Sequence, residues 1–369
     1  MSARALQLAQ FVDQALARRG RSATGPWQSI TGDASFRHFH RVPTDFGSLI
    51  AVDAPPTTEN NGQYLRIAQH WRGAGLPVPQ VLADDLQHGF FLVSDLGSLL
   101  FAEALSRHTA QPASPDAEPL HGMAEHASTV HASAEHASAE HATAEDDQLY
   151  RRAIELLWRI QALPDDGTCP PYELARLQME LGIFREWFLE AALGYAITPA
   201  ESELLAHAET VLLANIAEQP RCCVHRDWHS RNLLVLPDRS LGIIDFQDAL
   251  TGPYVYDLVS LLRDCYLRWP DTDVDAWQQH YLQGADSRFQ NRAAFRTDFD
   301  LTGMQRHLKA IGIFARLWRR DGRMGYLPDI PRVLHYLRDV GTRHPPLHSF
   351  ADWIATRIEP AWQRRAPQH

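Results

Sequence analysis

The stretch VHRDWHSRNLLVLPDRSLGIIDFQDA, residues 224–249, holds three polar side chains whose types and spacing suit phosphoryl transfer. Asp227 is followed five residues later by Asn232, and Asp245 comes thirteen residues after that. The reaction needs few parts: a carboxylate to orient the attacking hydroxyl and take its proton, and oxygen ligands for a Mg²⁺ ion that offsets charge on the phosphates. Asp227 is the candidate base. Asn232 and Asp245 are the candidate metal ligands, because Mg²⁺ prefers oxygen donors and completes its octahedron with phosphate and water. The apolar runs LLVL and LGII flank a turn at Pro237-Asp238-Arg239-Ser240. That hairpin would return Asp245 to the side of Asn232.

Positioning these residues falls to elements on both sides. The N-terminal residues MSARALQLAQFVDQALARRG read as an amphipathic helix stopped by arginines and glycine. SFRHFHRV alternates aromatic and polar residues as a half-buried strand does, DFG turns, and SLIAVDA is the next strand. NGQYLRIAQHWRG is helical, and QVLADDLQHGFFLVSDLG is a second hairpin. After Leu99 the pattern is helical apart from the strand–loop–strand unit around Asp227. The expected class is α+β, with a small sheet-rich lobe over residues 1–94 and a larger helical lobe over 95–369. A segment at about 109–147 interrupts the second lobe. It is rich in Ala, His, Glu and Ser, with His121, His126, His131, His136 and His141 spaced by five. Five residues overshoot a 3.6-residue turn by about 140°, so these histidines spiral around a helix and do not line one face. With few large apolar residues the segment reads as a loosely ordered insertion.

Composition limits the function further. At 369 residues the chain suits two domains or lobes of roughly 150 residues each. Its 45% apolar content supports a large core. A formal charge of −10 argues against nucleic-acid binding. The cysteines at 169, 222, 223 and 265 form no C-x-x-C pair and read as small buried hydrophobes. There is no signal-peptide core and no run near the ~20 apolar residues of a membrane span. The expectation is a cytoplasmic protein with no membrane and no obligate protein partner.

HRDWHSRN matches the kinase pattern H-R-D-x-x-x-x-N. It resembles more closely the H-x-D-x-H-x-x-N loop of the small-molecule kinases related to aminoglycoside phosphotransferases and choline kinases. His229 stands where protein kinases place a lysine, which turns the expected acceptor from a protein to a small molecule. GDASFRHFHRV, LIAVDAPP, FFLVSDLG, GIIDFQDALTGPYVYDLVSLLRDCY and QRHLKAIGIFARLWRRDG resemble, within that family, the bacterial anomeric kinases of N-acetylmuramate and N-acetylglucosamine that serve cell-wall recycling. The likeness spans nearly the whole chain outside the histidine segment.

The resemblance implies a bilobal, protein-kinase-like fold, ATP as co-substrate, Mg²⁺, and a small sugar as partner. It makes Asp227 the base toward the anomeric hydroxyl and Asp257 a buried anchor for the loop. It puts Gly32 and Ser35 over the phosphates and the backbone near Ser94 and Leu96 against adenine. His229, Arg231, Asp248, Glu180 and Trp187 are the expected sugar contacts. For the helix ELGIFREWFL, core packing of Phe184, Trp187 and Phe188 explains the pattern equally well.

One departure stands out. The family's phosphate-holding lysine belongs on SLIAVDAPP, where an A-x-K alignment puts Asp53, and the chain's one lysine is Lys309. A carboxylate repels phosphate, so Asp53 would instead bind a second Mg²⁺ or face an arginine. Arg37 and Arg41, on the preceding strand, are the candidate replacements, since arginine pairs phosphate oxygens in fork geometry. Two other readings remain open: a kinase of another acceptor (an aminoglycoside, choline or a different sugar), and a nucleotide-binding pseudokinase.

Overall fold

The structure, a computed structural model, describes residues 2–30, 36–109 and 141–367. Gly32 and Ser35, and His121, His126, His131 and His136, lie outside the described residues, and so do the roles expected of them.

The elements run α1 (Ala3–Ala17), β1 (Gln28–Ile30), β2 (His38–Thr44), β3 (Gly47–Asp53), α2 (Asn61–Gly73), β4 (Val81–Asp85) and β5 (Phe90–Ser94). The five strands form an antiparallel sheet in the order β1-β2-β3-β5-β4. Period-two alternation gives the sheet two apolar faces. Val42, Ala51, Phe90 and Leu92 bury against Leu8, Val12 and Leu16 of α1. Val52, Phe91 and Val93 face Tyr64 and Leu65 of α2 on the other side.

This alternation corrects the placement of Asp53 at the lysine position, while its expected arginine partner is found. It lies on the α1 face, where Arg4 of α1 reaches it, Nε to Oδ1, at 2.8 Å. The A-x-K alignment is one residue out of phase with the face that meets α2, and one residue in a strand exchanges the faces.

The chain then continues through α3 (Phe101–Thr109), α4 (Ala144–Gln161) and α5 (Leu174–Ile183), which runs into a π-helical stretch at Phe184–Ala192. α6 (Pro199–Glu218) precedes β6 (Arg221–Val224), β7 (Leu233–Val235), β8 (Leu241–Ile243) and β9 (Leu250–Pro253). β7 pairs with β8 as the hairpin pattern required, and β6 pairs with β9. β9, LTGP, carries glycine and proline and no alternation, so sequence periodicity does not reveal it. α7 (Tyr256–Leu262), α8 (Asp271–Gly284), α9 (Arg292–Asp321), α10 (Ile330–Arg343), α11 (His348–Trp353) and α12 (Glu359–Arg365) complete the fold.

The long, largely buried α9 is the centre of the helical part. It packs against α5, α6, α7, α10 and the π-helical stretch. Gly312 makes the approach to the end of α5 possible: a Cβ there would lie 2.6 Å from the Ile183 carbonyl carbon. The architecture is α+β and bilobal, as a protein-kinase-like fold is. Among the described residues, no helix is long and apolar enough to cross a membrane.

Candidate active site

Two loops build the site, one from β6 to β7 and one from β8 to β9, and both run between the β6–β9 pair and the same end of the β7–β8 hairpin. His225 joins them: its Nε2–H donates to the Ile244 carbonyl at 2.9 Å. The Ile244 amide donates to the Asn232 carbonyl at 3.2 Å. Asp257, at the start of α7, accepts from the amides of His225 at 2.6 Å and Arg226 at 2.9 Å. It is fully buried, as an anchor must be. Burial lifts its carboxyl to about 6, against the pull of His225 and the two amides. Arg226 and Asp245 hold left-handed backbones, φ 77° and 62°, in which non-glycine residues are uncommon. Such strain persists where the surroundings over-determine it, typically at functional sites.

Asp227, Asn232 and Asp245 line one cavity of about 390 Å³, within the range of about 300–1,000 Å³ typical of small-molecule sites. Burial pushes the Asp227 carboxyl up, but neighbouring positive charge, that of Lys309 first, outweighs it and holds the group well below the usual carboxylate range. Asp227 is therefore ionised at neutral pH. Asn232 donates from Nδ2 to the Asp227 carbonyl at 3.0 Å, which leaves its Oδ1 as the acceptor. Gln247 Nε2 donates to Asp245 Oδ1 at 2.7 Å. One amide oxygen and one carboxylate suit Mg²⁺, which is commonly held by one or two protein groups plus phosphate.

His229 and Asp248 also line the cavity. His229 stands edge-on to Tyr266, with ring centroids 5.3 Å apart, and accepts at Nδ1 from the Arg231 amide at 3.4 Å. Burial lowers its pKa, which favours the neutral imidazole, and with Nδ1 accepting, Nε2 is its donor. The Arg231 guanidinium lies 3.7 Å over the Tyr266 ring.

Several expected contacts stand elsewhere. Glu180 is only 3% exposed and sits behind the catalytic loop. It pairs with Arg226 Nη2 at 2.8 Å and accepts a hydrogen bond from the Tyr172 hydroxyl. It props the loop and does not line the cavity. Trp187 packs on the core around α9, away from the cavity. Helical spacing left open which face of that helix meets the cleft, and the packing face is the one these residues occupy. Arg41 is bound to the connector after β5, with Nε 2.5 Å and Nη2 3.1 Å from Asp95 and Nη2 donating to the Gly97 carbonyl at 3.0 Å. Its fork is filled, which corrects its assignment to phosphate. The Ser94 amide donates to the Gln80 carbonyl, and its Oγ accepts from the Gln80 amide. Leu96 packs its side chain against Gly242 in β8.

Arg37 lies at the other end of β2, with its guanidinium 5.5 Å from the Tyr64 ring of α2. Its Nη2 is 2.8 Å from Glu59 Oε2. Glu59 lines the cavity and was missed in the sequence, where it falls in the polar run TTENN ahead of α2. Burial raises its pKa, and Asp248 and Asp245 add to the rise. Tyr64 also stacks on Phe246, with centroids 5.3 Å apart, so α2 fixes the residue next to Asp245 and the Arg37 pair together.

Asp264, Arg306 and Lys309 were also missed as site residues. Asp264 accepts from the Ser230 amide at 3.0 Å and the Tyr266 amide at 2.9 Å, giving the loop a second buried anchor. Arg306 and Lys309 come from α9, about 80 residues beyond the loop, where no local motif marks them.

Comparison with known proteins extends this picture. Residues 26–296 match the model of the phosphotransferase enzyme family. An N-acetylmuramate/N-acetylglucosamine kinase of Pseudomonas putida is 32% identical over 340 residues, covering 91% of this chain and 89% of that one. The kinase of the same name from Pseudomonas aeruginosa is 34% identical over 333 residues, covering 88% and 87%. Among solved structures, a choline kinase from Streptococcus pneumoniae shares the fold with a TM-score of 0.60 at 11% identity, covering 90% of this chain and 99% of that one.

Proposed function

The chain belongs to the phosphotransferase enzyme family, and on that premise we propose that it transfers the γ-phosphoryl group of ATP to the anomeric hydroxyl of N-acetylmuramate and N-acetylglucosamine. The observation that carries this reading is the convergence of Asp227, Asn232 and Asp245 on one cavity, in a chain whose relatives of near-equal length carry that kinase name. We place the lobe boundary after Ser94 and the enzyme in the cytoplasm, serving cell-wall recycling.

In this reading Asp227 accepts a hydrogen bond, and then the proton, from the hydroxyl on C1. The hydroxyl oxygen forms the new bond to the γ-phosphorus as the bond to the β–γ bridging oxygen breaks and ADP leaves. A strong base is not required, because bond breaking leads in such transition states and positioning dominates. A low carboxyl pKa therefore suits Asp227. Asn232 and Asp245 would hold Mg²⁺, which neutralises charge on the phosphates. Nε2–H of neutral His229 donates to the transferred group. Arg37, braced by Glu59, takes the place of the missing lysine on the nucleotide phosphates, and the backbone after Ser94 meets adenine.

The wall formed by Arg306 and Lys309 disfavours a cationic acceptor such as choline or an aminoglycoside, which would want carboxylates or an aromatic cage there. Asp53 no longer supports a pseudokinase, since it lies on the face away from α2.

The test is turnover with Mg-ATP and, separately, N-acetylmuramate, N-acetylglucosamine, glucose, choline and kanamycin. ADP release gives the rate and phosphorus NMR locates the phosphate. The expected products are the two sugar 1-phosphates. Absence of turnover with both N-acetylated sugars rejects the reading.

A further inference from the structure

The cavity is polarised. Its metal side carries Glu59, Asp245 and Asp248. Another part of the lining is one stripe of α9, on which Arg306, Lys309, Ala310, Ile313, Phe314 and Leu317 recur at helical spacing. The stripe is cationic at one end and apolar at the other.

Both cations are buried, Arg306 5% and Lys309 8% exposed; their charge acts on Asp227, yet neither makes a close bond to a carboxylate, so donors on both stay open. Arg306 Nη1 has Cys265 Sγ at 3.5 Å, a weak acceptor, and its Nε has no partner. Among the described residues, no carboxylate lies within ion-pair distance of it. Lys309 Nζ stands 3.5 Å from the Tyr256 hydroxyl and 3.6 Å from Glu180. Charge-assisted bonds between nitrogen and oxygen usually span about 2.7–2.9 Å. Glu180 already holds Arg226 at 2.8 Å. A guanidinium offers five donors and an ammonium three. Removing such groups from water is costly unless a counter-charge meets them.

We propose that Arg306 and Lys309 form a carboxylate subsite for the acceptor and set its preference for N-acetylmuramate over N-acetylglucosamine. The proposal rests on the functional reading above. The two sugars differ by a lactyl ether on O3, whose carboxylate is ionised at neutral pH. With C1 at Asp227, that arm extends along the α9 wall. There the two cations receive the carboxylate and the apolar stripe receives methyl groups. On the metal side the same carboxylate would meet like charge.

The experiment compares N-acetylmuramate, its isosteric lactyl carboxamide and N-acetylglucosamine on the wild-type enzyme, then on Arg306→Gln and Lys309→Met. Loss of a hydrogen-bonded charge should lower kcat/KM for the carboxamide about 10- to 100-fold relative to the acid, mostly through KM. In both variants the acid and the carboxamide should converge. The drop for N-acetylmuramate should exceed that for N-acetylglucosamine by a similar factor. Equal use of acid and carboxamide by the wild type, which needs no variant to fold, overturns the subsite. So does an equal loss for both sugars in the variants, which would put the cations on the phosphoryl group or the fold. Turnover of neither sugar by the wild type overturns the functional reading, and the subsite with it.

Discussion

Arg37 Nη2 and Glu59 Oε2 lie 2.8 Å apart beside α2, on the face of the sheet opposite Asp53. The pair joins the end of β2 to the entrance of α2 at the edge of the catalytic cavity. A carboxylate from the segment before α2 thus steadies a cation at the cavity edge, although no lysine is present on the sheet.

Arg37→Met should raise KM for ATP about 10- to 100-fold, the range for losing a charge-assisted hydrogen bond. KM for the sugar should change little. Glu59→Gln should give a smaller shift in the same direction, because it loosens Arg37 without removing its charge. Steady-state kinetics with each substrate varied in turn measures both. An unchanged KM for ATP in Arg37→Met would remove Arg37 from the phosphate site.

Asp53→Asn should leave KM for ATP within about twofold of wild type. It breaks a partly exposed ion pair with Arg4, and such pairs contribute about 1 kcal/mol or less. Urea unfolding gives the stability and kinetics gives the KM. A large rise in KM for ATP would return Asp53 to the nucleotide.

Gln247→Ala removes the donor that orients Asp245 Oδ1. Loss of such an outer hydrogen bond weakens metal sites by about 10- to 100-fold. The Mg²⁺ concentration for half-maximal rate should rise accordingly, while the rate at saturating Mg²⁺ recovers most of its value. A Mg²⁺ titration that superimposes on wild type would contradict the metal assignment of Asp245.

His307 sets a pH dependence of stability. Burial, reinforced by Arg306 and Arg263, drives its pKa from 6.5 down to about 3, while Nε2–H donates to the Arg263 carbonyl at 2.8 Å. The folded chain keeps it neutral and the unfolded chain protonates it near 6.5. The unfolded state therefore holds the extra proton between those values. The contribution is full above about pH 6.5 and falls by up to about 1.4 kcal/mol per pH unit as pH drops toward 3. Between pH 7 and pH 5 the wild type should lose about 2 kcal/mol more than His307→Gln. Urea unfolding at both pH values measures it, and equal losses would refute the assignment.

The catalytic loop was legible in the sequence because its parts are local. Asp227, Asn232 and Asp245 fall within 19 residues on a hairpin whose apolar strands and turn can be counted. The rest depended on tertiary choices. Asp53 and Arg37 were separated by strand phase, where one residue decides the face. Glu180 and Trp187 sit on a helix whose apolar pattern fits either a core or a cleft, and packing of α9 took the core face. Arg306 and Lys309 read as ordinary polar positions on α9. Only the close approach of that helix, which Gly312 permits, brings them into one cavity with Asp227. Glu59 lacks any motif and is identified by its partner alone.

The central claim is that Asp227 positions and deprotonates an acceptor hydroxyl in this cavity. The measurement is kcat of Asp227→Ala with N-acetylmuramate at saturating Mg-ATP, alongside the affinity of the variant for ATP. General-base groups contribute about 10²- to 10⁴-fold, so kcat should fall by that factor while ATP affinity stays near wild type. Undiminished turnover by a folded Asp227→Ala enzyme would contradict the account.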